Sequence, residues 1–511
     1  MLLLLMMLTL TGCPEKAPDE EDDPADINGP MVANEVQIRT GADSVEMQWL
    51  VPTLEQSIFN RDVRGFLLLR AESEQFLQPA RLDEFETGDE FGDQTVAAVI
   101  DADPTRDQEI EVFFTDEGLE TGKTYYYQLF TYDEVPNYSE PVRFEATPGS
   151  LVQPRLSHAQ VLLADGRVLL SGGLGNEGPL DTAEIFDPET QTFRETVDTM
   201  RRRRFGHTMT LLEDGTVLVA GGYEEGLVDI LDSVEVFDPV DETFTRLSAR
   251  MNVGRALHTA TRLSDGRVVF IGGTDGYNAY DTAEVFDPAD GSITLVEDRM
   301  GVARFDHTAT VLADVNPTRI LVAGGLRDEE TAASATFLDS ANFDFGRYVP
   351  EPGNEENALN TGRASHTASL LPDGRVLLVG GFSGTIAAGT PTASVEIFDP
   401  DTGAFETVAQ LEHNRSGHVA AVLDDGRVLV AGGIDGDLNI LGTSEIIDPV
   451  AKAVEPGPDM AVGRTVAEIT QLDTGDWFIT GGNRSGDFFL PLPVSSAEIL
   501  DPAGDAFSLV P

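Results

Sequence analysis

From residue 155 onward the chain is written in short apolar runs separated by turn residues, with almost no helical periodicity. A run such as Arg167-Val168-Leu169-Leu170 leads into a glycine pair, and the pair recurs at Gly172-Gly173, Gly221-Gly222, Gly272-Gly273, Gly324-Gly325, Gly380-Gly381, Gly432-Gly433 and Gly481-Gly482. An alternating stretch such as His207-Thr208-Met209-Thr210-Leu211-Leu212 stands before each pair. A stretch like Ala183-Glu184-Ile185-Phe186-Asp187-Pro188 follows, then a short one such as Thr192-Phe193. Runs this short, bounded by Gly, Pro and Asp, predict strands. Four strands recur in each unit of about 50 residues.

The turn residues sharpen this. Asp-Gly at 165–166, 214–215, 265–266, 373–374 and 425–426 predicts two-residue type I′ hairpins between the first and second strands. The glycine pairs predict close backbone approach near a crowded axis. Asp-Pro after the third strand ends the ladder and starts a turn. One four-stranded unit cannot bury both its faces, whereas stacked units can. The combined motif resembles a kelch-type propeller, of the kind also found in galactose oxidase-like proteins. That resemblance implies a seven-bladed ring over 155–511.

Residues 31–148 alternate in strand fashion too. Val45, Met47 and Trp49 share one face, as do Tyr125, Tyr127 and Leu129, with Leu119 six residues before Tyr125. The early Trp, the Leu-then-Tyr pair and the segment from Asp133 to Pro141 resemble a fibronectin type III domain. Trp49 and Tyr125 are expected in its core. The fold class is therefore all-β: an N-terminal fibronectin type III-like β-sandwich followed by a seven-bladed kelch-type β-propeller.

The first residues read as an address. The apolar run Leu2–Leu10 is too short to span a bilayer and suits a signal peptide, although no Lys or Arg precedes it. Leu10-Thr11-Gly12-Cys13 resembles a bacterial lipobox, which implies cleavage after residue 12 and acylation of Cys13. The acidic, Pro-rich residues 13–30 then form a tether. An exported protein, lipid-anchored to the cell envelope (outer membrane or cell surface), is the expectation. Contact with membrane is through the anchor only.

Charge narrows the partners. Acids outnumber bases 89 to 33, for a formal net charge of -56, so a broad basic face for nucleic acid is excluded. Solubility in salty water accounts for the excess. Cys13 is the only cysteine, which rules out a disulfide framework in the folded region.

Arg-x-x-His recurs at Arg155/His158, Arg204/His207, Arg255/His258, Arg304/His307, Arg363/His366 and Arg415/His418. These histidines occupy equivalent places in separate units, so they form a ring; a metal site needs different residues converging on one point. Hydrogen bonding to a neighbouring strand is their expected role. Glu184, Glu235, Glu284, Glu396, Glu445 and Glu498 are expected to pair with the motif arginines, within one blade or between neighbours. Two units depart from the pattern. The fourth has Thr336 in the glutamate's place, lacks Asp-Gly and carries an insertion over 344–361; the seventh has Ala467 in place of histidine.

The loops between second and third strands vary in length and lie on the same face as the inter-blade connections. They carry Tyr223, Tyr277, Tyr280, Phe382, Phe488 and Phe489, with acids Glu224, Asp275 and Asp435, and a connection contributes Arg202. Aromatics and arginine on loops over a rigid scaffold suit binding of a protein or glycan. No catalytic residue, metal or cofactor is assigned. A copper-radical oxidase needs a cysteine-linked tyrosine, and the propeller has no cysteine. Asp101, Asp103 and Asp107 match no complete calcium loop. A carbohydrate-active enzyme, an epimerase or hydrolase using the same face, is the alternative.

Overall fold

The computed structural model describes residues 151–510 except 313–317, 328, 347–357 and 487–490, together with the strands and a few intervening residues of 34–146. Cys13, the tether, Asp103, Asp107, residues 133–138, Phe488 and Phe489 lie outside the described residues. The chain divides into two compact units, one holding 154–509 and the other 12–153.

In the smaller unit, Asn34–Thr40, Ser44–Val51 and Ile110–Glu117 form a three-stranded sheet. A five-stranded sheet runs Glu90–Phe91, Gln94–Asp101, Gly65–Ala71, Tyr125–Tyr132, Val142–Ala146. Their facing sides share one core, in which Val45, Met47, Trp49, Leu119, Tyr125, Tyr127 and Leu129 are buried. The Trp49 ring meets Phe66 edge-on at 5.5 Å. The Tyr127 hydroxyl donates to Asp116 at 2.8 Å, which also pairs with Arg70. A buried phenol thus keeps a polar partner.

In the larger unit the described residues form seven four-stranded antiparallel sheets, each ordered along the chain; in the first, second, fourth and fifth a small two-stranded sheet lies between the second and third strands. The first is Ala159–Leu162, Val168–Ser171, Ala183–Asp187 and Thr192–Glu195. Second strands such as Val168–Ser171 and Val217–Ala220 are buried along their whole length, because another sheet covers each face. Leu169 and Ile185 of the first sheet pack with Val217, Val219 and Phe237 of the second. Leu321 and Phe337 of the fourth pack with Val376 and Phe398 of the fifth. Phe478 of the last sheet stacks on Phe186 of the first at 4.1 Å. Each buried aliphatic or aromatic side chain is worth about 1.5–3 kcal/mol, so these faces supply the cohesion.

Hydrogen bonds between sheets repeat with the sequence. The second glycine of each pair donates its N–H to the motif arginine carbonyl of the next sheet, as Gly173 to Arg204 at 2.9 Å and Gly222 to Arg255 at 3.0 Å. The series returns to its start when Gly482 donates to Arg155 at 2.9 Å. The larger unit is a β-propeller.

The Asp-Gly hairpins differ from the type I′ expectation. Gly166 N–H donates to Leu163 O while Leu163 N–H donates to Arg167 O, closing a three-residue loop. Only the glycine is left-handed, at φ 86°; Asp165 is not. This is a tight turn followed by a glycine bulge, the next commonest hairpin after the two-residue types. The aspartate's role is different from that of a left-handed residue: its carboxylate accepts the Arg167 backbone N–H at 3.1 Å and pairs with the guanidinium. After the third strand, Asp187 accepts the Glu189 N–H at 2.9 Å, an Asx turn that starts the last hairpin.

Candidate functional site

The repeated polar motif comes first, since it holds most of the chain's buried charge. Arg155 Nη1 donates to Gly172 O at 2.7 Å and its Nη2 lies 2.5 Å from Glu184, with both side chains fully buried. The same pairs form within the second, third, fifth, sixth and seventh sheets: Arg204–Glu235, Arg255–Glu284, Arg363–Glu396, Arg415–Glu445 and Arg464–Glu498. Each partner comes from the arginine's own sheet. The second carboxylate oxygen takes backbone N–H groups of the preceding connection, as Asn252 N to Glu284 at 2.7 Å and Ala461 N to Glu498 at 2.8 Å. The glutamate thus ties the connection to its sheet.

The histidines work between sheets. His258 Nε2 lies 3.1 Å from the Thr208 hydroxyl of the preceding sheet, and Thr259–His307, Thr308–His366 and Thr367–His418 repeat the contact at 3.2, 3.1 and 3.0 Å. In the first sheet Ala159 stands at the threonine's place, and Ser171 on the adjoining strand serves His207 at 3.0 Å. His158 closes the series on Thr480 of the last sheet at 2.9 Å. Each Nδ1 is buried without a partner. Burial and the adjacent arginine hold these imidazoles neutral: His258 and His418 are pushed down to about 3 and the other four well below the ordinary value. In six of the seven pairs the first glycine makes room for one of these imidazoles. A Cβ at Gly221 would stand 2.2 Å from Arg255 O and 2.9 Å from His258 Cε1.

In six of the seven sheets the arginine and glutamate pair, and the imidazoles are spread over six sheets. Among the described residues no three His, Cys, Asp or Glu side chains converge as a metal site would require.

The loop face carries the exposed chemistry, but not on all the residues the sequence pointed to. Tyr223 and Phe382 are buried, at 0% and 2% exposure. Each follows a glycine pair and bridges the residue after a motif arginine, Phe205 with Tyr223 and Ala364 with Phe382, which turns its ring into the stack. Phe205 and Tyr223 stack at 5.0 Å. Tyr280 is half-buried beneath the loop, its ring 5.4 Å from the Arg255 guanidinium. Arg202 pairs with Glu224, and Arg201 with Asp198 at 2.8 Å. Tyr277 alone of the described aromatic candidates stands out, at 74% exposure. Its turn is rigid: Asp275 accepts N–H groups from Tyr277 and Asn278 at 2.9 and 2.6 Å.

Exposed Val197, Val240 and Val450 lie in other turns and connections, but between second and third strands Val228, Leu438 and Leu492 are exposed as well. Pattern reading missed them because it weighed aromatics; an aliphatic between Gly, Asp and Asn, as in Asp437-Leu438-Asn439, was the available signal. Leu438 is held at φ 66°, a conformation uncommon for a bulky residue, and Asp435 pins its turn through Asp437 and Asn439 N–H groups, both at 2.9 Å. The loops brace one another. A Cβ at Gly276 would meet Leu227 O at 2.1 Å, one at Gly486 would meet Leu438 O at 2.1 Å, and Thr331 N–H donates to Gly384 O at 3.0 Å. The tips therefore stand on a firm support.

Comparison with known proteins agrees with the architecture. The model of the attractin/LZTR1 β-propeller family matches residues 168–440. Among solved structures the chain is similar to a fungal alcohol oxidase of the AA5 family in complex with copper, at 18% identity and TM-score 0.51, over 66% of this chain and 72% of that one. It is also similar to YjhT, at 14% identity and TM-score 0.45, over 60% of this chain and 98% of that one. No curated protein sequence matches. The likeness to the oxidase is one of fold. Copper is that protein's: here the ring histidines each serve a hydroxyl and Cys13 is the only cysteine, so the residues do not fit a copper-radical centre.

Proposed function

This chain belongs to the attractin/LZTR1 β-propeller family, and from that premise we propose that it is an exported, lipid-anchored binding protein. Its ligand is a protein or glycan taken on the loop face of a seven-bladed kelch propeller. The carrying observation is the set of exposed apolar tips, Val228, Tyr277, Leu438 and Leu492, raised on braced loops while six of the repeat motif's seven arginines are paired internally. Exposed tyrosine is enriched in binding hot spots, and apolar side chains held in place beside it lower the ordering cost of association. Loop acids with structural tasks support binding over catalysis: Asp275 and Asp435 cap their turns and Glu224 neutralises Arg202.

Seven four-stranded sheets and the Gly482–Arg155 closure support the seven-bladed reading. The three- and five-stranded sheets about the Trp49 core support a fibronectin type III-like domain, which serves as a spacer. Cys13 would carry the lipid, and release of a Cys13→Ser protein from the membrane fraction tests the anchor.

A glycan and protein array probed with the purified chain tests the function, with product analysis on every hit. Binding that falls at least tenfold with Tyr277→Ala supports the proposal. Turnover of a bound sugar would replace it with the reading of a carbohydrate-active enzyme, and binding unaffected by loss of Tyr277 and Leu438 together would remove the loop tips from the site.

A further inference from the structure

One motif arginine has no acid among the described residues. Arg304, in the fourth sheet, is fully buried, and the position filled by glutamate in the other six sheets is Thr336. Arg304 Nη1 donates to Gly324 O at 2.6 Å and Ser334 O at 2.8 Å, and Nη2 to the Ser334 hydroxyl at 2.9 Å. Thr336 offers nothing in return: its hydroxyl donates to Gly346 O at 3.0 Å. Hydrogen bonds are thus provided, but no described carboxylate offsets the charge. Burial lowers this arginine to about 10, and Arg327 adds its repulsion. A guanidinium stays protonated, so the alternative of shedding charge is closed.

The sister sheets show what is missing. Glu445 accepts from Arg415 Nη2 at 2.8 Å and from the N–H groups of Glu412 and His413 at 2.6 and 3.2 Å. The equivalent N–H groups in the fourth sheet, on Gly301 and Val302, donate to none of the described residues. Gly301 has also turned to φ 76°, which none of its counterparts does. The connection therefore sets two donors, on exposed Gly301 and half-buried Val302, beside a buried cation, where the other sheets hold a carboxylate.

We propose that the fourth sheet binds a small monovalent anion of the halide class, held by Arg304 Nη2 and the 301–302 connection in the place of the glutamate carboxylate. One guanidinium balances one charge, and a threonine where the other sheets have the larger glutamate side chain favours a single-atom anion such as chloride over a tetrahedral dianion. A buried ion left unpaired is strongly destabilising, so occupancy stabilises the native ring by mass action.

The test compares melting temperatures of the full chain in sodium chloride and sodium methanesulfonate at matched ionic strength. A saturating rise of about 2 °C or more in chloride alone is expected. Thr336→Glu supplies the carboxylate and should abolish the chloride increment. Equal melting curves in the two salts would overturn the proposal, as would an undiminished increment in Thr336→Glu. Should that variant not fold, crystals of the unaltered chain grown in bromide decide: an anomalous peak within hydrogen-bonding distance of Arg304 Nη2 supports the site, and its absence overturns it.

Discussion

Arg255 Nη2 lies 2.6 Å from Glu284 Oε1 in the third sheet, with both side chains fully buried. The other carboxylate oxygen holds the connection through the backbone and side-chain amide of Asn252, at 2.7 and 2.8 Å. Breaking such a pair from one side strands a buried charge, at a cost of about 3–5 kcal/mol. Glu284→Ala should lose that much in denaturant unfolding, and Glu284→Gln somewhat less because an amide still accepts from Asn252. Unchanged stability in both variants would show that the pair is not what ties the connection down.

Thr208 and His258 should behave as a unit. The chain already contains the experiment: Val419 stands where the threonine would be, Ala431 lies across from it, and the next sheet has Ala467 in place of histidine. Losing both polar partners together avoids an orphaned buried group. Thr208→Val or His258→Ala alone should cost about 1–3 kcal/mol, and the double variant less than the sum. Additive losses in the cycle would contradict this coupling.

Stability should fall as the solution is acidified from pH 6.5. The six ring histidines titrate near 6.5 when unfolded and far lower when folded, so the unfolded chain binds more protons below that value. Their contribution is full above about 6.5 and is lost between there and their folded values, at about 1.4 kcal/mol per histidine per pH unit. Burial raises Glu468 to about 8 and Asp306 to about 6, and these two acids work in the opposite direction. Six against two leaves a net uptake of protons on unfolding near pH 5.5, measurable from the pH dependence of unfolding free energy. A flat or inverted slope there would refute the neutral ring.

Gly221→Ala should destabilise far more than Gly226→Ala. Both glycines are left-handed, at φ 65° and 59°, so both pay about 1–2 kcal/mol for a side chain. Only Gly221 has a carbonyl 2.2 Å from the new Cβ; nothing lies within 4 Å at Gly226. Equal losses in thermal unfolding would mean that backbone conformation, and not the neighbouring sheet, requires the first glycine of the pair.

Tyr277→Ala should leave unfolding free energy within about 0.5 kcal/mol of the parent, as for other exposed sites, while weakening ligand capture. A large loss of stability would instead make Tyr277 a structural cover for its loop.

Much of this was legible in the order of residues. Glycine pairs, Arg-x-x-His and the glutamate recur at intervals that only a repeated unit produces, and the pairing of Arg204 with Glu235 follows from both sitting at fixed places in it. The Asp-Gly turns were located correctly but given the wrong geometry, because a two-residue and a three-residue hairpin share the same dipeptide. The residue before each of the six histidines, and before Ala467 in the seventh repeat, is left-handed, as at Ser157, Leu257 and Val466, yet only Gly206 and Gly417 among the seven announce it. Tertiary hydrogen bonds impose that backbone: Leu257 N–H donates to Gly206 O and Val466 N–H to Gly417 O.

The sequence by itself determined the repeating unit, its strands and the residues that hold each sheet together, because these depend on local spacing and on the need to bury apolar faces. Only the tertiary structure decided that Tyr223 turns inward while Tyr277 stands out, and that no described carboxylate moves in beside Arg304 to replace the missing glutamate. Those outcomes depend on which side chain of one sheet meets which atom of another, and spacing along a chain does not encode that distance.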